Sequence, residues 1–314
     1  MSLWIEKYRP NSFDEIIGQK DIVEKLKVMA SKKEVQHMIL SGPPGVGKTT
    51  SAITLAKAIY GDTWNENFIE LNASDDRKLS VIQGKVKEFA RSKPIDAPFK
   101  MILFDEADSL TQEAQQALRR MMEEYSQTCR FIFSVNFQSN LIEAIQSRCA
   151  IFRFQPLTKE DVYKFIDRIS KGEGLEVTNE AKEALYTISK GDLRSLTNIL
   201  QSISNVTKKI GKEDVYKGSG LINVQKLKEA VKDAMDGDYK TASEKVESIL
   251  NEGVSIKEIM NNLFNIIIYD EKIEPKIKAY IIEKLAETDF RLIEGATPII
   301  QLQAFIAFLS TIKK

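Results

Sequence analysis

The sequence predicts an α/β protein in which a parallel β-sheet with flanking helices precedes two helical parts. Three observations support this fold class. The first half of the chain alternates short apolar runs with helical patterns, which is typical of a parallel sheet covered by helices. A glycine-rich loop joins the first apolar run to a helix. After Pro156 the strand patterns stop, and apolar residues recur at helical spacing.

The candidate strands and helices of the first half alternate along the chain. Five short apolar runs predict strands at residues 37–41, 68–71, 101–105, 131–135 and 151–154. Helical patterns between them predict helices at 48–60, 79–91, 112–125 and 140–147. Thr158, followed three residues later by Asp161, resembles a capping box that starts a helix. Two more helices are expected, at about 178–189 and 192–205.

The last third of the chain predicts a separate helical region. Residues 208–220 are rich in Lys and Gly and predict a linker. Residues 223–314 predict about five helices, because apolar residues recur there at three- and four-residue spacing. We therefore expect three domains: an α/β domain at 1–157, a small helical domain with the linker at 158–221, and a larger helical domain at 222–314.

Composition restricts the class of protein. Hydrophobic residues make up 43% and charged residues 29%, which is ordinary for a globular protein. The sequence lacks an apolar run of about 18 residues and begins with a charged segment, so we expect neither a membrane span nor a secretory signal. One histidine and two cysteines argue against a Cys/His zinc site and favour an intracellular setting. With 45 basic and 45 acidic residues, any contact with DNA would need a local basic patch.

Residues 42–49, Gly-Pro-Pro-Gly-Val-Gly-Lys-Thr, match the phosphate-loop pattern between a predicted strand and a predicted helix. Glycines allow the backbone to curl so that its amides face phosphate oxygens, and the following helix adds its positive end. Lys48 is expected to reach the β- and γ-phosphates, and the Thr49 hydroxyl to bind Mg²⁺. The alternative is a plain glycine-rich turn before a helix. The other residues predicted to contact the nucleotide here are Gly42, Pro43, Pro44, Gly45, Val46, Gly47 and Thr50.

An apolar run at residues 101–104 ends in Asp105-Glu106, which predicts the metal and catalytic side of the same site. A carboxylate at the carboxyl end of a parallel strand lies where open α/β sheets bind ligands. Asp105 is therefore expected to hold Mg²⁺, and Glu106 to act as general base toward the attacking water. Since no guanine-reading Asn-Lys-x-Asp motif is present, ATP is favoured over GTP.

Further short motifs occur at 4–10 (Trp-Ile-Glu-Lys-Tyr-Arg-Pro), 16–19 (Ile-Ile-Gly-Gln), 72–77, 117–120 (Ala-Leu-Arg-Arg), 134–136, 147–149 (Ser-Arg-Cys) and 191–194 (Gly-Asp-Leu-Arg). Their order and spacing over about residues 1–205 resemble the small subunits of replication factor C, the AAA+ clamp-loader ATPases. The short chain favours the archaeal over the eukaryotic type. The tail resembles the family's helical collar only in length and helicity. The resemblance implies an AAA+ fold with a RecA-like sheet, a helical lid and an all-α collar.

The resemblance also implies roles for single residues. Asn136 would help to orient the attacking water, Arg148 would act as an arginine finger in a neighbouring subunit's site, and Arg194 would touch the γ-phosphate of its own site. The alternatives are a polar residue that satisfies a turn for Asn136, a solvated or ion-paired surface group for Arg148, and a structural ion pair for Arg194. The residues that would border the adenine, with plain core packing as the alternative, are Tyr8, Arg9, Pro10, Ile16 and Ile17.

The implied activity is Mg²⁺-dependent ATP hydrolysis that helps to open a sliding clamp and place it on primer–template DNA. The implied partners are a large subunit and further small subunits in a pentamer, the clamp and the DNA. The location would be the cytoplasm or nucleoid in an archaeon and the nucleus in a eukaryote. Alternatives are another AAA+ DNA-remodelling ATPase, of helicase or origin-recognition type, and a nucleotide-binding structural subunit. Candidate DNA contacts, with a solvated helix face as the alternative, are Arg77, Lys78, Lys85 and Arg91.

Overall fold

A computed structural model of the chain describes residues 3–74, 82–219, 224–251 and 254–312. The chain divides into two compact units, Met1–Ile210 and Gly211–Lys314. The predicted larger helical domain at 222–314 falls within the second unit, and its boundary stays a prediction. The predicted boundary at residue 157 falls inside the first unit, so the division of that unit into two domains stays a prediction.

The first unit contains a five-stranded parallel sheet, as predicted. Its strands are β1 (Met38–Ser41), β2 (Phe68–Asn72), β3 (Lys100–Asp105), β4 (Cys129–Val135) and β5 (Ala150–Arg153). They are arranged in the order β2-β3-β4-β1-β5, and every pairing is parallel. The carboxyl ends of β1, β3 and β4 therefore meet at one edge of the sheet, beside the point where the strand order reverses.

Burial along the strands explains why their sequences are apolar runs and not alternating patterns. Met101 to Phe104 of β3 and Phe131 to Phe133 of β4 are fully buried, because helices cover both faces of a parallel sheet. Phe104 stacks on Phe133 with ring centroids 5.4 Å apart. The edge strands are less buried: β5 alternates, with Phe152 buried and Ile151 exposed, and β2 exposes Glu70. The central strands thus supply the core that holds the functional edge in place.

The helices of the sheet region follow the prediction in part. The predicted helix 48–60 is confirmed, and 112–125 is confirmed to within one residue. Within the described part of 79–91, a π-helical turn at Ile82–Val86 precedes the helix. The α-helices are α1 (Trp4–Lys7), α2 (Lys20–Lys32), α3 (Lys48–Tyr60), α4 (Trp64–Asn67), α5 (Lys87–Arg91), α6 (Gln112–Glu124) and α7 (Glu143–Gln146).

The helix predicted at 140–147 is wrong for half of its length, because only α7 is α-helical there. Gln115 of α6 satisfies the backbone of this segment in place of helical hydrogen bonds. Its amide nitrogen donates to the Asn140 carbonyl at 3.1 Å, and its amide oxygen accepts from the Ile142 N–H at 2.7 Å. Leu141 and Ile142 are consequently extended.

Three capped helices follow β5: α8 (Lys159–Glu173), α9 (Asn179–Ser189) and α10 (Leu193–Ser204). The Thr158 hydroxyl accepts from the Asp161 N–H, so the predicted helix start is confirmed. Two short strands were not predicted: β6 (Glu176–Val177) and β7 (Lys209–Ile210), which form a parallel pair.

The described part of the second unit consists of helices: α11 (Lys212–Ser219), α12 (Val224–Met235), α13 (Tyr239–Asn251), α14 (Ile256–Ile268), α15 (Pro275–Ile293) and α16 (Pro298–Thr311). The linker prediction is wrong over α11, which buries Val215 and begins where the Gly211 N–H donates to the Asp214 carboxylate. The five helices predicted beyond it are confirmed, and Ile259, Leu263 and Ile267 lie in the core as their spacing requires. Within the described ranges, no helix has the length and apolar character needed to cross a membrane.

Candidate functional site

A cavity lies at the carboxyl edge of β1, β3 and β4, where sheet topology predicts a ligand site. It brings together most of the residues singled out from the sequence. Outside the lining lie Gly42, Pro43 and Arg148. The predicted site residues that line it are Tyr8, Arg9, Pro10, Ile16, Ile17, Pro44, Gly45, Val46, Gly47, Lys48, Thr49, Thr50, Asp105, Glu106, Asn136 and Arg194.

The conformation of the loop that follows β1 requires glycine at positions 45 and 47, among others. Gly47 has a φ of 96°, and Gly45 has a φ of 69°. A Cβ at Gly45 would lie 1.9 Å from Asp192 Oδ1, and the Leu193 N–H donates to the Gly45 carbonyl at 3.2 Å. The loop and the start of α10 are therefore in direct contact, with no room for a side chain between them.

Lys48 is buried at the start of α3, and its ammonium points back over the loop. Nζ donates to the carbonyl oxygens of Gly42 at 2.6 Å and Pro43 at 2.7 Å, and to Asn136 Oδ1 at 3.2 Å. Burial lowers the pKa of Lys48, and the nearby carboxylates of Asp105 and Asp108 oppose that shift. A poorly solvated cation held in this way is suited to an anionic ligand.

Thr49 and Asp105 form a pair of oxygen ligands suited to Mg²⁺. The Thr49 hydroxyl donates to Asp105 Oδ2 at 2.8 Å, which ties α3 to the end of β3. Within the described residues, no cluster of three or more His, Cys, Asp or Glu side chains could hold a metal. A hydroxyl and a single carboxylate nevertheless fit Mg²⁺, which binds through one or two carboxylates together with substrate phosphates and waters.

Glu106 follows Asp105 in the left-handed conformation, with a φ of 52°. Its N–H donates to Asp105 Oδ1 at 3.1 Å, which fixes the turn. A non-glycine residue in this region costs of the order of 1 kcal/mol or more, and such residues cluster at functional sites. The turn leaves the Glu106 side chain exposed on the cavity lining.

Asn136 comes directly after β4, whose end lies beside the end of β1. It lines the cavity, as predicted. Its N–H donates to Asp108 Oδ2 at 3.3 Å, and its side chain accepts from Lys48. Asp108 was not among the predicted site residues, although its position three residues after Asp105 places it in the same turn. Asp108, which follows β3, accepts a hydrogen bond from the backbone of Asn136, which follows β4. This bond holds the carboxyl ends of β3 and β4 together.

The N-terminal segment covers the other side of the cavity. Tyr8 is buried, and its hydroxyl donates to Glu173 Oε1 of α8 at 2.7 Å. Burial, assisted by Glu173, raises the pKa of Tyr8 to about 12. The apolar face of Tyr8 thus lines the cavity while its polar end is bound elsewhere. The other lining residues were not predicted to contact the ligand, although three of them lie in the motifs at 134–136 and 191–194. They come from α1, β4, α8, α10 and the segment before α2: Ile5, Glu15, Ser134, Val135, Phe165, Leu193 and Thr197.

Arg194 reaches the cavity from the first turn of α10. Asp192 caps this helix, since its Oδ1 accepts from the N–H groups of Arg194 at 2.9 Å and Ser195 at 3.1 Å. The cap places an N-terminal helix end and a guanidinium at the loop, and both favour negative charge.

Arg148 lies away from its own chain's cavity and forms an ion pair with Glu123, at 2.6 Å between Nη2 and Oε1. Its side chain is 36% exposed. Both the finger and the ion-pair interpretations of Arg148 are compatible with this position.

The candidate DNA residues are only partly described. Arg77 and Lys78 lie outside the described residues. Lys85, in the turn before α5, and Arg91, at the end of α5, are both exposed. Arg91 borders a shallow groove with Lys87, next to an acidic neighbour, Glu88.

Two family models match the sequence. The model of the ATPase family associated with various cellular activities (AAA) matches residues 38–157, and that of the replication factor C C-terminal domain matches residues 222–308. Together they cover the sheet with its phosphate loop and most of the second unit.

Curated relatives are similar along almost the whole chain. The replication factor C small subunit of Archaeoglobus fulgidus is 45% identical over 99% of this chain and 98% of its own length. That of Sulfurisphaera tokodaii is also 45% identical, over 98% of this chain and 95% of its own. Among solved structures, the Holliday junction branch migration motor RuvB of Thermotoga maritima aligns with a TM-score of 0.56 at 20% identity, over 72% of this chain and 78% of that one. At that identity the likeness supports the fold alone.

Proposed function

The chain belongs to the replication factor C small-subunit family of AAA+ ATPases, and we propose that its cavity binds ATP with Mg²⁺ to drive clamp loading. The chain is an ATPase of the clamp-loader class. The observation that carries the proposal for the site is the hydrogen bond between Thr49 and Asp105, at 2.8 Å. It brings the phosphate loop and the carboxylate of β3 to one point in the cavity.

The loop at 42–50 and Lys48 bind the phosphates through backbone amides and the ammonium. Thr49 and Asp105 hold Mg²⁺, which when bound offsets the negative charge of the phosphates. Arg194 contacts the γ-phosphate from the start of α10. Tyr8 and its neighbours Arg9, Pro10, Ile16 and Ile17 border the adenine.

Glu106 accepts a proton from the attacking water, and Asn136 orients that water from the end of β4. Arg148 completes the site of an adjoining subunit, where a guanidinium stabilises charge on the transferring phosphoryl group. Its distance from its own cavity and its partial exposure support a role in trans. Hydrolysis at the full rate would then require assembly.

The partners proposed for the chain are a replication factor C large subunit, further small subunits in a pentamer, a sliding clamp and primer–template DNA. Lys85 and Arg91 are proposed to contact the DNA backbone, as are Arg77 and Lys78 outside the described residues. Phosphate contacts need only a few basic side chains per subunit, which fits a chain with no net charge.

The deciding experiment mixes the purified chain with a large subunit, a sliding clamp and primed DNA, and measures ATP hydrolysis. We expect strong stimulation only when all components are present, and its loss with Lys48→Ala or Arg148→Ala. Stimulation by junction DNA without a clamp would instead favour a helicase. Clamp loading that persists with Lys48→Ala would favour a structural subunit.

A further inference from the structure

Arg148 is held by acceptors on two helices and, at a longer distance, by Ser147 Oγ, which lies 3.4 Å from Nη1. Nη2 lies 2.6 Å from Glu123 Oε1 of α6, and Nη1 donates to the Ala144 carbonyl of α7 at 2.7 Å. Because each terminal nitrogen has its own acceptor, both the position and the plane of the guanidinium are fixed. A guanidinium has five N–H donors, and this side chain is 36% exposed, so it can still bind a further ligand.

Glu123 is itself restrained from the opposite side. Arg119, four residues earlier on α6, places Nη1 3.5 Å from the same Oε1 atom that contacts Arg148. The carboxylate therefore lies between two guanidinium groups. The contact with Arg119 restricts the rotamers of Glu123 and so helps to keep its carboxylate beside Arg148.

This ion pair is poorly suited to stabilising the fold. The side chains of Arg148 and Glu123 are 36% and 46% exposed, and ion pairs exposed to this degree contribute little to stability because water and salt screen them. They can nevertheless select one orientation of a flexible side chain. For a group that must meet a phosphate on another subunit, such preorganisation determines the rate.

We infer that Glu123 is a positioning residue, which holds the guanidinium of Arg148 in the orientation that enters a neighbouring subunit's nucleotide site. The inference rests on the proposed role of Arg148 in trans. Glu123 contacts neither the nucleotide nor the reacting water in this scheme. Its effect on hydrolysis passes through Arg148 alone.

The test uses the assembled complex with clamp and primed DNA, and compares Glu123→Ala with Glu123→Gln. We expect Glu123→Ala to lower kcat about tenfold, because the contact with Ala144 remains and the misplacement is partial. Glu123→Gln keeps an acceptor oxygen and should lose less. Binding of a fluorescent ATP analogue to the variant chain and its melting temperature should not change, since its own cavity is intact.

Glu113→Ala is the matched control, because Glu113 is exposed on the same helix and the charge change is identical. In an Arg148→Ala background, Glu123→Ala should have no further effect. Three results would overturn the inference. They are equal kcat values for Glu123→Ala and Glu113→Ala, a further fall in kcat when Glu123→Ala is added to Arg148→Ala, and a kcat of Glu123→Ala above that of the wild type. If Arg148→Ala itself leaves hydrolysis unchanged, the proposed role in trans fails. If Arg148→Ala slows hydrolysis and Glu123→Ala does not, only the inference about Glu123 is rejected.

Discussion

Lys48 Nζ donates to Asn136 Oδ1 at 3.2 Å, which connects the start of α3 to the loop that follows β4. The same ammonium also donates to two carbonyl oxygens of its own loop. We expect a triphosphate in the cavity to compete for this cation, since its negative charge makes it the stronger acceptor. In the proposed function, Lys48 turns to the phosphates, which leaves the Asn136 side chain free to bind water beside Glu106.

Asn136→Ala is therefore expected to reduce hydrolysis while leaving ATP binding nearly intact. We expect kcat in the assembled complex to fall roughly a hundredfold, as when one preorganised polar group is removed from an active site. Steady-state ATPase assays that separate kcat from KM give the measurement. Asn140→Ala, in the same loop but outside the cavity lining, is the control and should retain its rate. A rise in KM with unchanged kcat would assign Asn136 to binding instead.

Gly45→Ala should destabilise the chain far more than an ordinary glycine substitution at positive φ. Its new Cβ would meet Asp192 at 1.9 Å, and overpacking adds to backbone strain, so we expect a loss of about 3 kcal/mol in the free energy of unfolding. Gly174→Ala is the control, since Gly174 has a φ of 65° with open space around it and should cost about 1 kcal/mol. Urea denaturation without nucleotide measures both. Similar losses for the two variants would mean that the loop relaxes away from Asp192.

Thr49→Val and Thr54→Val each remove one hydroxyl from α3. Comparing the two variants distinguishes a hydroxyl needed for activity from one that is only buried. Thr49→Val removes the bond to Asp105 and a proposed Mg²⁺ ligand, so ATPase activity should be lost although the chain still folds. Thr54 is 1% exposed, and its hydroxyl has no hydrogen-bond partner in the described part of the chain. Removing an unsatisfied buried hydroxyl should raise stability by about 1 kcal/mol without affecting activity.

ATPase assays and thermal melts of the two variants give the comparison. Retained Mg²⁺-dependent hydrolysis in Thr49→Val would exclude this hydroxyl as a metal ligand. A destabilised Thr54→Val would indicate that the Thr54 hydroxyl is satisfied in solution.

The features that sequence predicts here are those fixed within a few residues. The five strands are short apolar runs with polar ends, and the loop at 42–49 is a contiguous motif, so both are recognisable without knowledge of the fold. The turn at 138–142 is different, because its backbone is satisfied by Gln115, a side chain more than twenty residues away. The local sequence is compatible with a helix, but the hydrogen bonds to Gln115 stabilise an extended backbone instead.

The candidate site follows the same rule. Lys48, Thr49, Asp105 and Glu106 are predicted by type and spacing, and the sheet brings them to one cavity. The contact between Arg148, in the turn after α7, and Glu123 of α6 joins residues 25 positions apart, and the bond from Tyr8 to Glu173 spans 165 positions. No periodicity or motif encodes such pairings, since they depend on how separate elements pack.

His37, the single histidine of the chain, should make stability depend on pH in the weakly acidic range. Its Nδ1 accepts from the Phe131 N–H at 3.1 Å, a bond that requires the unprotonated nitrogen. Burial, and then the charge of Arg130, lower the pKa of His37 from 6.5 to about 4. Between pH 6.5 and 4 the unfolded chain therefore binds a proton that the folded chain does not, so this contribution to stability is complete above pH 6.5 and declines as the pH falls toward 4.

At pH 4.5 the loss attributable to His37 should be roughly 2–3 kcal/mol. Urea denaturation at several pH values should show it as a steeper decline for the wild type than for His37→Gln, which keeps an acceptor but does not titrate. Comparing the two chains removes the contribution of carboxylates, which titrate in both. An NMR titration of the single imidazole measures the folded-state pKa of His37 directly. A protonated ring cannot accept the bond from Phe131, so the folded chain should resist protonation. A pKa near 6.5, together with parallel stability curves for the two chains, would contradict the prediction.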